Sequence, residues 1–137
     1  MSEPSPSKGL HYGLWAVQLL LAFAFGMAGG MKLITPLADM AANGMTIAER
    51  LPEGLIRFIG LSEVLGAIGL IAPAATGILP KLTPTAAAAL ALVMVLGVGE
   101  HAMNGEFDAF VAPIVLGGLS AFVAFGRFRL APTQPRG

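Results

Sequence analysis

The side chains best able to do chemistry in this chain are few, and they stand in apolar surroundings. Glu63 lies near the middle of the stretch Leu55 to Ala72, with Gly60 and Gly66 three residues to either side and Gly69 a further three on. A carboxylate at the centre of a bilayer costs about 2.5–3.5 kcal/mol on insertion scales, so it must face a partner, a cavity or water. Lys32 closes an earlier apolar stretch and Glu100-His101 closes a later one. A carboxylate, an ammonium and an imidazole brought together can fix a polar ligand by hydrogen bonds or pass a proton. If Lys32 pairs with Glu63, the carboxylate stays charged; without a partner, burial favours its neutral form. Each residue also has a plain structural role. Glu63 can fix helix register, Lys32 can reach the headgroups, and Glu100 and His101 can sit solvated at the membrane boundary. Arg57 lies four residues after Glu53, the spacing of an ion pair on a helix surface.

The elements that position these residues follow from composition. The 137 residues are 55% hydrophobic and only 12% charged, with a mean hydropathy of +0.78, which excludes an ordinary soluble domain. Windows at about 14–34, 55–72, 85–103 and 107–125 each suffice to cross roughly 30 Å of hydrocarbon. The expected fold is all-α: one membrane domain over 1–137, an up-down four-helix bundle with a short interfacial helix at about 36–51 between the first two spans. Too little chain is left for an extramembrane domain or a nucleic-acid surface. The absence of cysteine removes thiol redox and thiolate metal sites. His11 and His101 fall near opposite ends of different helices, which argues against a bis-histidine haem. The first apolar stretch lacks a small-x-small cleavage site and reads as a retained helix.

Charges and breakers refine this picture. With both termini on one face, that face carries Lys8, Lys81, Arg127, Arg129 and Arg136 against Glu3, while most acids fall on the other. The excess of cations predicts both termini in the cytoplasm of a bacterial inner membrane. Thr83-Pro84 reads as the start of the third helix, with the hydroxyl as its cap. Asn104-Gly105 followed by Glu106 and Asp108 opens the fourth, and Pro113 bends that helix unless it falls in the first turn. Lys32 and Arg127 suit helix C-termini. Thr46-x-x-Glu49 reads as a capping box before a helix that stops or kinks at Pro52, and Pro73 to Pro84 reads as a turn. Tyr12 and Trp15 read as an interfacial belt.

Small residues mark the faces expected to pack inward: Ala28, Gly29 and Lys32 on the first helix, Gly60, Gly66 and Ala67 around Glu63, and Gly97 one turn below Glu100 and His101. These faces predict one cluster in which Lys32 reaches Glu63 and His101 or Glu100 completes the set. Met27 and Met31, four apart, with Met103 at similar depth to His101, form a weaker alternative site for a soft ion such as Cu(I); adaptable packing explains them equally well.

These features together resemble the DoxX and DoxX-like family of small four-helix membrane proteins. The resemblance rests on Phe25-Gly26 to Gly29-x-x-Lys32, on Gly60-x-x-Glu63-x-x-Gly66, and on Glu100-His101 at the end of the third helix, and it covers roughly His11 to Phe128. The family pattern includes an arginine near the start of the first helix, where this chain has Lys8 and His11. The resemblance implies a redox-associated role in a respiratory membrane, or service as an assembly factor, and it points to Lys32, Glu63 and His101.

Three functional classes follow. In the first, an accessory subunit holds a quinone headgroup against Lys32, Glu63 or His101, with Arg57 a further donor to a quinone carbonyl or an acidic headgroup. The chain has no redox centre of its own, so electrons would come from a partner. In the second, a non-enzymatic module or chaperone grips a membrane-protein partner, or a second copy, through its glycine-rich faces. In the third, oligomers form a small proton-linked carrier, although paired broken helices are not evident. Membrane lipids are partners in all three.

Overall fold

The structure is a computed structural model describing residues 7–136; Glu3, counted above with the terminal face, lies outside them. Four helices are long and apolar enough to cross a membrane. In order the elements are α1 (Lys8–Ile34), α2 (Leu37–Ala42), α3 (Ile47–Arg50), α4 (Glu53–Thr76), α5 (Leu82–Met103), a 3₁₀ turn (Phe107–Phe110), α6 (Val111–Phe125) and a π turn (Gly126–Leu130). An even number of crossings returns the chain to its starting side, so one end of the bundle carries both termini and the other carries the α1–α4 and α5–α6 connections.

The bundle is organised around an antiparallel seam between α1 and α4. Buried residues on α1 are Leu14, Gln18, Leu21, Phe25, Gly29 and Lys32; on α4 they are Ile56, Gly60, Glu63, Ala67, Leu70 and Ala74. On α4 the steps alternate between four and three, and on α1 they do so except for two successive steps of four from Leu21 to Gly29, which keeps one stripe of each helix facing the other. Phenylalanines and leucines on the remaining faces stay exposed, as helices surrounded by hydrocarbon allow. At the seam's tightest point no side chain fits. A Cβ on Gly29 would lie 2.6 Å from the Gly60 carbonyl oxygen, and one on Gly60 would lie 2.7 Å from the Lys32 Cβ. The glycines around Glu63 therefore divide between two partners. Gly60 faces α1, whereas Gly66 and Gly69 receive Leu90 and Ala86 of α5. Gly97 approaches nothing within 4 Å, so no neighbouring helix packs closely against it.

Pro73 lies inside α4, not at its end as expected. A proline has no N–H, which leaves the carbonyl four residues earlier, Gly69, without its helical partner. The Thr83 hydroxyl donates to that carbonyl at 2.8 Å and accepts from the Ala74 N–H at 3.1 Å, while Gln18 Nε2 donates to the next carbonyl, Leu70, at 2.7 Å. Thr83 is thus not the cap read from sequence. Helix α5 starts at Leu82, and the Thr83 hydroxyl satisfies the defect in α4. The α4–α5 turn is correspondingly short, with Gly77 at φ 72° and Leu79 at φ 48°. Pro113 falls in the first turn of α6, where it breaks no intrahelical bond.

The α1–α4 connection forms two short helices, α2 and α3, parted by Gly44 at φ 90°, and ends at Pro52. The capping box is absent: Thr46 makes no cap hydrogen bond and donates instead to Glu106.

Candidate functional site

Two elements bring Lys32 and Glu63 together. Lys32 occupies the last turn of α1 and Glu63 lies mid-way along α4, both on the seam, and the bare Gly29–Gly60 crossing lets the backbones come close. Lys32 Nζ donates to Glu63 Oε1 at 2.7 Å, with Glu63 only 2% exposed. At this depth each charge depends on the other, since a lone buried ion is costly. Arg57 stands two turns before Glu63 and donates through Nη1 to the carbonyls of Lys32 (2.8 Å) and Thr35 (2.7 Å), while Nη2 reaches Glu53 at 3.1 Å. It therefore satisfies the carbonyl end of α1, the role sequence had given to the Lys32 cation. Two side chains of α4 thus clasp the last turn of α1, one by its side chain and one by its backbone.

His101 and Glu100 do not complete this pair. They join a second cluster at the same end, held by Arg50 of α3. Arg50 Nε and Nη2 bind Glu100 Oε1 and Oε2 at 2.7 and 2.9 Å, a bidentate fork, and Nη2 also reaches Glu106 Oε1 at 2.7 Å. His101 Nδ1 lies 3.1 Å from the same Glu106 oxygen. The Arg50 and His101 hydrogen bonds hold the Glu106 carboxyl down to about 2, and Glu100 with Glu106 raises the Arg50 guanidinium above its ordinary range. Glu100, His101 and Glu106 have ligand atoms close enough for a metal ion, but Arg50 already supplies a cation to both carboxylates. Neither Arg50 nor Glu106 had been singled out from sequence. Glu106 had been read as a helix-start acid, and the signal that could have found the pair is a lone arginine in the connecting segment opposite two acids.

Between the two clusters lies a cavity of about 550 Å³, lined by Lys32, Met45, Thr46, His101, Glu106 and Pro113 among others. It separates the end of α1 from the start of α6. Lys32 borders this space and Glu63 does not, so a ligand there meets the ammonium and Glu63 acts by positioning it. His101 Nδ1 is engaged with Glu106, and Nε2 forms no hydrogen bond to the described residues. The cavity is thus lined by both a lysine and a histidine. Met27, Met31 and Met103 are 63%, 41% and 88% exposed, outside the buried seam.

At the opposite end the structure reveals a polar group that sequence reasoning missed. Arg127 is 2% exposed and points back into the bundle from the π turn. Its Nε donates to Gln18 Oε1 at 2.7 Å, its Nη1 to His11 Nδ1 at 3.1 Å and to the Ala131 carbonyl at 3.0 Å. Trp15, expected in the interfacial belt, lies 5.8 Å from the guanidinium carbon, in cation–π range. Gln18, a lone amide amid apolar residues seven positions after His11, was the available signal.

Four membrane-length helices around a charged seam define a small integral membrane bundle with a polar site at its loop end. The chain belongs to the DoxX-like family, whose sequence model matches residues 16–123. No curated protein and no solved structure matches it.

Proposed function

We propose that the protein is an accessory subunit of a membrane redox system and holds a quinone headgroup in the loop-end cavity. One observation carries this reading. Lys32 and His101 both line the cavity, Lys32 paired with the buried carboxylate of Glu63 and His101 held at Nδ1 by Glu106. Its volume falls in the range of small-molecule sites, and its Met45, Ile47, Ala112 and Pro113 walls suit an apolar ring. Bound quinone supplies a two-electron couple with two oxygens that exchange hydrogen bonds for protons. Lys32 donates to one oxygen, held in place by Glu63. His101 accepts or returns a proton at Nε2, and Glu106 stabilises the imidazolium through Nδ1.

Extracting the purified protein and assaying the extract for quinone by mass spectrometry tests this reading. Wild-type protein is expected to retain quinone, and Lys32→Met to lose it. Quinone-free protein that ignores an added short-chain quinone would overturn the proposal. A second reading, a partner-binding assembly module, is favoured by Gly30, Gly97 and Gly99, which meet no atom within 4 Å of a built Cβ and leave small-residue grooves for another helix. One stoichiometric membrane partner co-purifying with quinone-free bundle would favour it.

A further inference from the structure

The termini end holds a second cavity, of about 460 Å³, enclosed by the α4–α5 turn on one side and residues 131–136 on the other. The terminal segment is tied across the turn by the Arg136 N–H, which donates to the Gly77 carbonyl at 2.8 Å. A side chain at Gly77 would strike Arg136, and its φ of 72° is one few other residues adopt, so this close approach depends on glycine. Leu79, Pro80, Leu82, Pro132 and Pro135 give the cavity largely apolar walls, and among the described residues no acidic side chain lines it.

Its polar groups are all suited to an anion. Arg127 forms part of the lining and is 98% removed from solvent by its 2% exposure, yet among the described residues every partner of its guanidinium is neutral. Of the five guanidinium N–H groups, Nη2 has only the distant His11 carbonyl at 3.4 Å, so one donor is left without an acceptor. The Thr133 hydroxyl, also in the lining, is buried with no hydrogen-bond partner. Lys81 adds an exposed cation at the rim. At the rim, Ile78 and Leu79 are 63% and 68% exposed, and Leu79, part of the lining, is held at φ 48°. A buried, uncompensated cation, an orphaned hydroxyl and an apolar apron at a helix-end turn have complementary chemistry in a single molecule, an anionic headgroup attached to hydrocarbon.

We propose that this pocket binds the phosphate headgroup of an anionic phospholipid, with Arg127 as the buried cation, Lys81 as the rim cation and Thr133 as the hydroxyl donor. The lipid's acyl chains leave along Ile78, Leu79 and Leu82, and the phosphate compensates the charge that no described carboxylate meets. This site lies at the opposite end of the bundle from the Lys32–His101 cavity and stands or falls separately from the quinone reading.

The test uses the full chain in nanodiscs of phosphatidylglycerol mixed with phosphatidylcholine, released for native mass spectrometry. Wild type is expected to retain one phosphatidylglycerol in preference to phosphatidylcholine. Lys81→Gln, at a position that leaves the seam intact, is expected to lower that occupancy about fivefold, the effect of one cation near a membrane surface, and Thr133→Val, which removes only a neutral hydroxyl donor, to lower it by less. Lys8→Gln, which removes an exposed cation from the same end outside the pocket, is expected to leave it unchanged. Indiscriminate retention of both lipids, equal losses in Lys8→Gln and Lys81→Gln, or no retained lipid would overturn the proposal. Thermal stabilisation by inorganic phosphate in phosphatidylcholine alone, without phosphatidylglycerol retention, would also overturn it and assign the pocket to a soluble anion.

Discussion

The two ends of the bundle bury charge in opposite ways. At the loop end Lys32 and Glu63 neutralise each other across the seam at 2.7 Å. At the termini end Arg127 is as deeply buried, but among the described residues an amide, an imidazole and two peptide carbonyls are its partners. A charge met by an opposite charge resists the loss of either partner, whereas a charge met only by dipoles is tolerated in place and free to bind something else. The first arrangement suits a fixed frame and the second suits a ligand site.

The largest effect should come from splitting the pair. Lys32→Met or Glu63→Gln alone is expected to cost up to about 3–5 kcal/mol in unfolding from detergent, because the remaining charge or amide is stranded. The double variant should lose far less than the sum, and additive losses would show that the two do not interact. Next comes Arg127→Met, expected to cost about 1–3 kcal/mol by leaving Gln18 and Ala131 acceptors unfilled. A loss as large as that of the split pair would erase the contrast between the ends.

How far sequence reached depends on the same contrast. The spans, the interfacial connection and the Lys32–Glu63 contact were legible, since a carboxylate and a lysine amid glycines have few other places to go. The division of partners along the seam was less so, because Gly60 and Gly66 imitate a single face while serving two neighbours. Arg127 was read as an ordinary helix-end cation, since a π turn that rotates it inward leaves no signature in hydropathy. Glu100 and His101 were placed at the correct end but with the wrong partner, as nothing local foretold that Arg50 would reach them from the connection.

A smaller test concerns the polar contact between α4 and α5. Thr83→Val should cost about 1–2 kcal/mol by unsatisfying the Gly69 carbonyl. Pro73→Ala, which restores the helical N–H, should suppress that loss; no rescue would mean the hydroxyl acts elsewhere. The mildest effect is expected at the surface cluster. Glu106 titrates in the folded protein at about 2, below the ordinary 4.5, so the folded state binds fewer protons than the unfolded one in between. Its contribution is therefore complete above about pH 4.5 and fades as pH falls toward 2. Arg50→Gln should flatten this acid limb, measured as melting temperature against pH, and salt should weaken it. A limb unchanged by Arg50→Gln would move the acid sensitivity to other groups.

Pro73 bears also on how the chain enters the bilayer. Helix α4 carries carbonyls at Gly69 and Leu70 that find their hydrogens on α5 and α1, so as a solitary span it is chemically unfinished. Its backbone is fully hydrogen-bonded only when the spans on both sides are in place. Chains truncated before Thr83 should show α4 slipping back out in glycosylation mapping, and stable insertion of that fragment would refute the dependence.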